Sequence, residues 1–205
     1  MGEHLSLEKR ELRRQCLAAR RRLPSEQMAS KSLAICARVV RLSVFSRAQH
    51  VVAYAALADE VDPSAIVDAA RRSAKAIYFP RMREQSLEFV AGRPEELQRG
   101  LWDILEPSGG AALNDARNVL FLVPGVAFDP RGGRLGRGGG HYDSGLASHP
   151  LGLRLGLAAE LQVHPGVPRD DWDQSVDAVV TERRLLWSAA RGRNVARSRI
   201  EETVQ

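Results

Sequence analysis

One stretch, residues 119–143, restricts the fold more than any other: VLFLVPGVAFDPRGGRLGRGGGHYD. Its first six residues are apolar, β-branched or aromatic up to Pro124. Such a run reads as a strand buried on both faces, and strands of that kind belong to sheets covered by helices on either side. Glycines follow at 132, 133, 136, 138, 139 and 140, interleaved with Arg131, Arg134 and Arg137. Glycine accepts positive φ and lets main-chain N–H groups come close to an anion. Residues 141–147 read as a short helix, whose start adds positive potential. A buried strand, a glycine–arginine loop and a helix start together describe a phosphate cradle. No Gly-Lys-Ser/Thr ends the loop, so it is not a P-loop, and Gly136 and Gly138 only loosely imitate a dinucleotide fingerprint. The competing reading is a flexible connector with scattered charges. A connector has no need to follow a buried strand and precede a helix.

The rest of the chain supports the same architecture. Ser6 is placed to cap a helix over residues 6–23, with Leu12, Cys16, Ala19 and Leu23 as its apolar stripe. Pro24 ends it, and a second helix over 25–41 turns Leu33, Cys36, Val39 and Val40 inward. Strands are expected at 50–57, 75–80, 87–91, 119–124, 153–158 and 176–181. Asp62 and Pro63 open a helix reaching Ser73. Residues 92–117 are turn-rich. Strands alternating with helices predict an α/β fold with a mostly parallel central sheet flanked by helices. Ligands in such sheets gather at the carboxyl ends of the strands, here after Leu57, Tyr78 and Val123. Residues 1–189 are expected to form a single domain, and 190–205 a basic, frayed tail.

Composition narrows the function classes. With 44% hydrophobic and 27% charged residues, the 205-residue chain has an ordinary globular make-up, and no apolar run is long enough to span a bilayer. The formal charge of +5 favours an anionic partner, either nucleic acid or a phosphorylated or carboxylated small molecule. Aromatics make up 5% of the chain, too few to interleave a basic surface with stacking platforms, so nucleic acid is not expected. Cys16 and Cys36 lack metal-ligand spacing and read as small core residues of a cytoplasmic protein. A monomer or weak homodimer is expected.

Further candidates lie outside the loop. Asp143 and Asp173 suit magnesium, which takes one or two carboxylates plus nucleotide phosphates. Asp143 is equally suited to capping a helix, and Asp173 to being a solvated charge. Glu60 and Asp62, in LADEVDP, are candidates to bind an N–H-rich heterocycle, and Asp62 also suits the helix cap. Lys9, Arg13 and Arg20 give the first helix a basic face, which is either functional or merely solvated. Trp102 and Tyr142 either stack on a flat ring or fill the core, and His141 is either functional or a solvent-facing residue at the helix start.

In this order, the segments resemble the 5-formyltetrahydrofolate cyclo-ligase family over about residues 9–182. VPGVAFDPRGGRLGRGGGHYD is similar to its VPGxxFD…RLGxGxGYYD signature. KRELR, LADEVDP, YFPRM, LWDILEP and VDAVVTE resemble its other motifs. The resemblance implies a fold like that of the sugar-phosphate isomerases and CoA-transferases. It also implies ATP- and Mg2+-dependent closure of 5-formyltetrahydrofolate to 5,10-methenyltetrahydrofolate. By the same resemblance ATP would contact Lys9, Arg10, Glu11, Leu12, Arg13, Arg134, Leu135, Gly136, Arg137, Gly138, Gly139, Gly140, His141 and Tyr142. The folate would contact Leu57, Glu60, Asp62, Trp102, Arg137, Gly138, Gly139, Gly140 and His141. Arg13 and Arg137 would be catalytic, and Asp143 and Asp173 would hold the metal. Two positions depart from the family pattern. His141 stands where a tyrosine is usual, and Trp172 precedes Asp173 where a histidine is frequent. A nucleotide-binding member without catalysis and a basic nucleic-acid-binding module are the alternatives.

Overall fold

The computed structural model describes residues 2–83, 86–100, 104–114 and 116–188. Trp102 and the tail expected at 190–205 lie outside the described residues. The helices are α1 (Gly2–Arg21), α2 (Ser25–Val40), α3 (Ser43–Arg47), α4 (Ser64–Arg72) and α5 (His141–Ala147). The strands are β1 (His50–Val52), β2 (Ala76–Arg83), β3 (Ser86–Ala91), β4 (Leu97–Arg99), β5 (Leu105–Pro107), β6 (Val119–Val123), β7 (Ala127–Phe128), β8 (Arg134–Leu135), β9 (Leu153–Leu157), β10 (Ala178–Val180) and β11 (Leu185–Trp187).

Seven strands form one sheet in the order β11-β10-β9-β6-β1-β2-β3. The five central strands pair in parallel, while β3 and β11 add antiparallel edges. The mostly parallel α/β sheet expected from the sequence is therefore present. Side chains alternate between the two faces with period two. Val51, Leu120, Leu122, Leu155, Leu157, Ala178 and Val180 face a core shared with Ile35, Val39, Phe45, Ile66 and Val67 of α2, α3 and α4. Val52, Val119, Phe121, Val123 and Val179 face the other side, where Leu146 of α5 packs among Phe89 and Phe128. α1 stands apart on a smaller cluster, its Leu12 and Cys16 against Val126, Ala127, Leu135 and Val167.

Several boundaries differ from the sequence reading. α1 already begins at Gly2, so Ser6 lies inside the helix and does not cap it. The strand expected over 50–57 is regular only to Val52, because the chain turns away beyond the sheet. On α2, Cys36 and Val39 are buried as expected, and one position departs. Leu33 is exposed, and Ser32 is buried in its place. The Ser32 hydroxyl donates to the Met28 carbonyl at 2.9 Å and accepts the Asp62 N–H at 3.0 Å, so its burial costs no unpaired polar group.

The chain runs from β1 to β2 on one side and returns to β6 on the other. The sheet order therefore reverses between β1 and β6, which is where a doubly wound sheet opens a crevice at its carboxyl edge.

Candidate active site

That crevice is a cavity of about 1160 Å³. Tyr54, Ala55, Leu57 and Glu60 line it after β1, Pro80 and Met82 on β2, and Pro124 and Gly125 after β6. Its two halves differ in chemistry. Pro80, Met82, Leu87 and Ile104 make one wall apolar, with the carboxylate of Glu106 among them. Lys9, Arg10 and Arg13 of α1, Arg134 and the loop 136–140, and Asp143, Asp170 and Asp173 make the other wall polar and charged.

Local sequence explains the loop's path. Asp129 is fully buried, and its carboxylate accepts the N–H groups of Arg131 at 2.8 Å, Gly133 at 2.9 Å and Val167 at 2.9 Å. This fixes the turn that leads into β8. Gly132, at φ +83°, packs so tightly that a Cβ would sit 2.3 Å from the Val176 carbonyl oxygen. Further on, Gly138 has φ +115°, which a side chain would strain. Its open face lies against Arg13, whose guanidinium carbon would be 3.6 Å from a Cβ there.

The cavity's cations have unequal partners. Lys9 donates to Asp170 at 2.7 Å and also to Asp173. Burial works to lower its pKa, but the two carboxylates outweigh this and raise it. Arg134 is buried and donates to Asp143 at 2.7 Å, with Tyr142 stacked beneath its guanidinium at 5.7 Å. Its Nε is buried and takes no acceptor among the described residues. Arg137 reaches Asp59 at 3.2 Å and Glu60 at 3.1 Å. Arg13 donates only to the Gly136 carbonyl, at 2.9 Å, and among the described residues it meets no carboxylate. Burial lowers its pKa, yet an arginine stays charged. It is thus a half-buried cation with one neutral acceptor, facing a glycine-lined space.

In the turn after β1, the Leu57 carbonyl accepts the Glu60 N–H at 2.9 Å, while Glu60 Oε2 accepts the Leu57 N–H at 3.2 Å. This closed turn aims Glu60 into the cavity. Burial, then the Glu60 charge, push the Tyr142 phenol up, so it remains a hydroxyl donor at neutral pH. Tyr54 is also pushed up, first by burial, and donates to the Val61 carbonyl at 2.6 Å.

A family model of the 5-formyltetrahydrofolate cyclo-ligase family matches residues 6–182. The chain belongs to this family. A cyclo-ligase of Escherichia coli strain K12 is 30% identical over 179 residues, covering 81% of this chain and 96% of that protein. A probable cyclo-ligase of Schizosaccharomyces pombe is 28% identical over 201 residues, covering 89% and 98%. The NMR structure of Aquifex aeolicus 5,10-methenyltetrahydrofolate synthetase superposes with a TM-score of 0.77 at 32% identity, covering 87% of this chain and 92% of that one.

Most residues that the cyclo-ligase resemblance singled out meet in the cavity: Lys9, Arg10, Arg13, Leu57, Glu60, residues 134–142, Asp143 and Asp173. Three do not line it. Glu11 is exposed and accepts from Arg14 at 2.6 Å and Gln15 at 2.7 Å. Leu12 is buried beneath α1, against Val126 and Leu135. Asp62 is exposed and accepts the Ser64 N–H at 2.9 Å and hydroxyl at 3.0 Å, so its carboxylate is spent on the start of α4.

The structure adds lining residues that the sequence reading passed over, including Tyr54, Met82, Glu106, Asp170 and Gln174. Glu106 lies in LWDILEP, a segment the motif comparison had reached. Asp170 carried no signal beyond being one acid in an acidic run. The reading of the first helix as a solvated basic face also fails at Arg20, which is 2% exposed. Its guanidinium grips Asp59 at 2.7 and 3.0 Å and donates to the Gly125 carbonyl at 3.3 Å. Cys16 and Cys36 are free and buried, as expected of core residues. No helix among the described residues is long and apolar enough to cross a membrane.

Proposed function

We propose that this chain uses ATP to close 5-formyltetrahydrofolate to 5,10-methenyltetrahydrofolate, releasing ADP and phosphate. The observation that carries the reading is the two-sided cavity. A glycine- and arginine-lined half suited to a triphosphate adjoins an apolar half with acids suited to a pterin's N–H groups. No protein nucleophile is required. The N5-formyl oxygen attacks the γ-phosphorus, the bond to ADP breaks, and a phosphorylated imidate forms. N10 then attacks the imidate carbon and loses its proton, and phosphate leaves with the former formyl oxygen.

Such chemistry asks a protein mainly for positioning and charge neutralisation. Arg13 is the cation best placed to meet the transferring phosphoryl group, because no carboxylate competes for it. The N–H groups of loop 136–140, with Lys9, Arg134 and Arg137, hold the remaining phosphates. Glu60 and Glu106 accept from the pterin while Pro80, Met82, Leu87 and Ile104 exclude water around it. Tyr142, with its phenol held protonated, serves as a donor at the junction.

Asp143 and Asp173 fit magnesium. Both line the phosphate half, and Asp143 Oδ2 and Asp173 Oδ1 accept no hydrogen bond from the described residues. Each thus keeps an oxygen for a metal that also takes phosphate oxygens. A magnesium ion held by Asp143 and Asp173 would supply positive charge to offset that of the phosphates.

The test follows absorbance in the methenyl product band with folate, ATP and magnesium, omitting each in turn. Product that needs all three is expected. Product formed without ATP, or none with all three, would overturn the reading.

A further inference from the structure

Trp172 is 70% exposed and lines the phosphate half of the cavity. An indole carries one of the largest apolar surfaces of any side chain, so leaving it uncovered forgoes substantial burial. Its backbone is clamped from both sides. The Asp173 N–H donates to the Asp170 carbonyl at 3.1 Å, and the Asp170 N–H returns to Asp173 Oδ2 at 2.7 Å. Both of these aspartates hold Lys9 of α1. On the other side, the Gln174 N–H donates to Asp143 of α5 at 2.9 Å, and the Gln174 side chain donates to the Trp172 carbonyl at 3.2 Å. The tight turn therefore keeps the indole at the lip of the cavity, between the groups assigned to phosphates and metal. The apolar residues suited to the pterin stand on β2, β3 and the segment before β5.

We propose that Trp172 is the stacking platform for the adenine base of ATP, and so sets the preference for a nucleotide over a bare polyphosphate. The inference rests on the reading of this half as the ATP site. A flat ring laid on the indole would cover its exposed face while the triphosphate runs inward to Arg13 and the glycine loop.

The test compares magnesium complexes of ATP and of inorganic tripolyphosphate by isothermal titration against the full chain, wild type, Trp172→Ala and Trp172→Phe. Trp172→Ala should weaken ATP by between about 5-fold and about 140-fold, since stacking on an aromatic is worth about 1–3 kcal/mol per base at 1.4 kcal/mol per tenfold. It should leave tripolyphosphate unchanged, and Trp172→Phe should fall between. ATP, but not tripolyphosphate, should change the indole fluorescence, and Trp172→Phe should abolish that change. Equal losses for both ligands, or no loss for either, would overturn the stacking role while leaving the ATP site standing. Wild-type protein that binds neither phosphate ligand would overturn the site reading as well. Unchanged melting temperatures of the variants confirm that each is folded.

Discussion

Arg13 and Arg20 lie about two turns apart on α1, and their surroundings give them opposite tasks. Arg20 is enclosed and its charge is matched by Asp59, whereas Arg13 meets only a main-chain carbonyl. Arg20, enclosed with its carboxylate and away from the cavity lining, ties elements together, whereas Arg13 lines the cavity and keeps its charge available to an anion. Arg13→Ala is therefore expected to cut turnover by about 10²–10³, the usual cost of removing one preorganised donor, with little change in melting temperature. Near-normal turnover would remove Arg13 from the mechanism. Asp143→Asn should raise the magnesium needed for half-maximal rate by about 10-fold or more, and an unchanged magnesium titration would dismiss it as a ligand. Glycines and arginines of the loop were legible in the sequence because their chemistry is local. The fate of Leu12 and Asp62 was not. Which face of α1 meets Val126, and whether a carboxylate turns back onto Ser64, depend on contacts that no short motif encodes.

At the scale of elements, α1 has a small apolar footing and a strong polar one. Arg20 fastens it to the turn after β1 through Asp59 and to the end of β6 through Gly125. Arg20→Ala removes charged hydrogen bonds worth about 1.5–3 kcal/mol, while Asp59, a quarter exposed, keeps Arg137 as a partner. For a chain of this size the substitution should lower the melting temperature by about 3–12 °C, measured by calorimetry. A change under two degrees would show that α1 does not depend on this tie. Long apolar or strongly periodic elements, such as β6 and α2, could be read from the sequence. α3 and the ribbons β4–β5 and β7–β8 escaped because segments of two to five residues carry too little periodicity. The exposure of Leu33 on α2 escaped for another reason. Leu33 looked like core, but Ser32 finds two partners inside that no hydropathy pattern reports.

For the whole molecule, charge pairing sets the response to pH. Burial works to raise the carboxyls of Asp59 and Glu182, but Arg20 beside the first and Lys31 beside the second hold both below the usual range. Such groups stabilise the fold above the unfolded carboxyl pKa of about 4, and lose that contribution as pH falls through their lower folded values. Lys9 is raised, so its contribution is complete below the unfolded lysine pKa of about 10.4 and fades as pH climbs through the folded one. Melting temperature should thus drop steeply below about pH 4. Glu182→Gln, which unties Lys31 of α2 and the Glu160 N–H, should melt lower at neutral pH and show a shallower acid decline. An identical acid profile in that variant would exclude Glu182 as a contributor. The pairing has a further consequence at the cleft. Lys9, Arg134 and Arg137 each already hold an internal carboxylate, so an arriving anion competes with it for their charge. Chloride or a lone phosphate gains too little to drive several such exchanges together, whereas a tethered run of phosphates can. On the proposed reading, the entrance would screen visitors by valence before any base or ring is recognised.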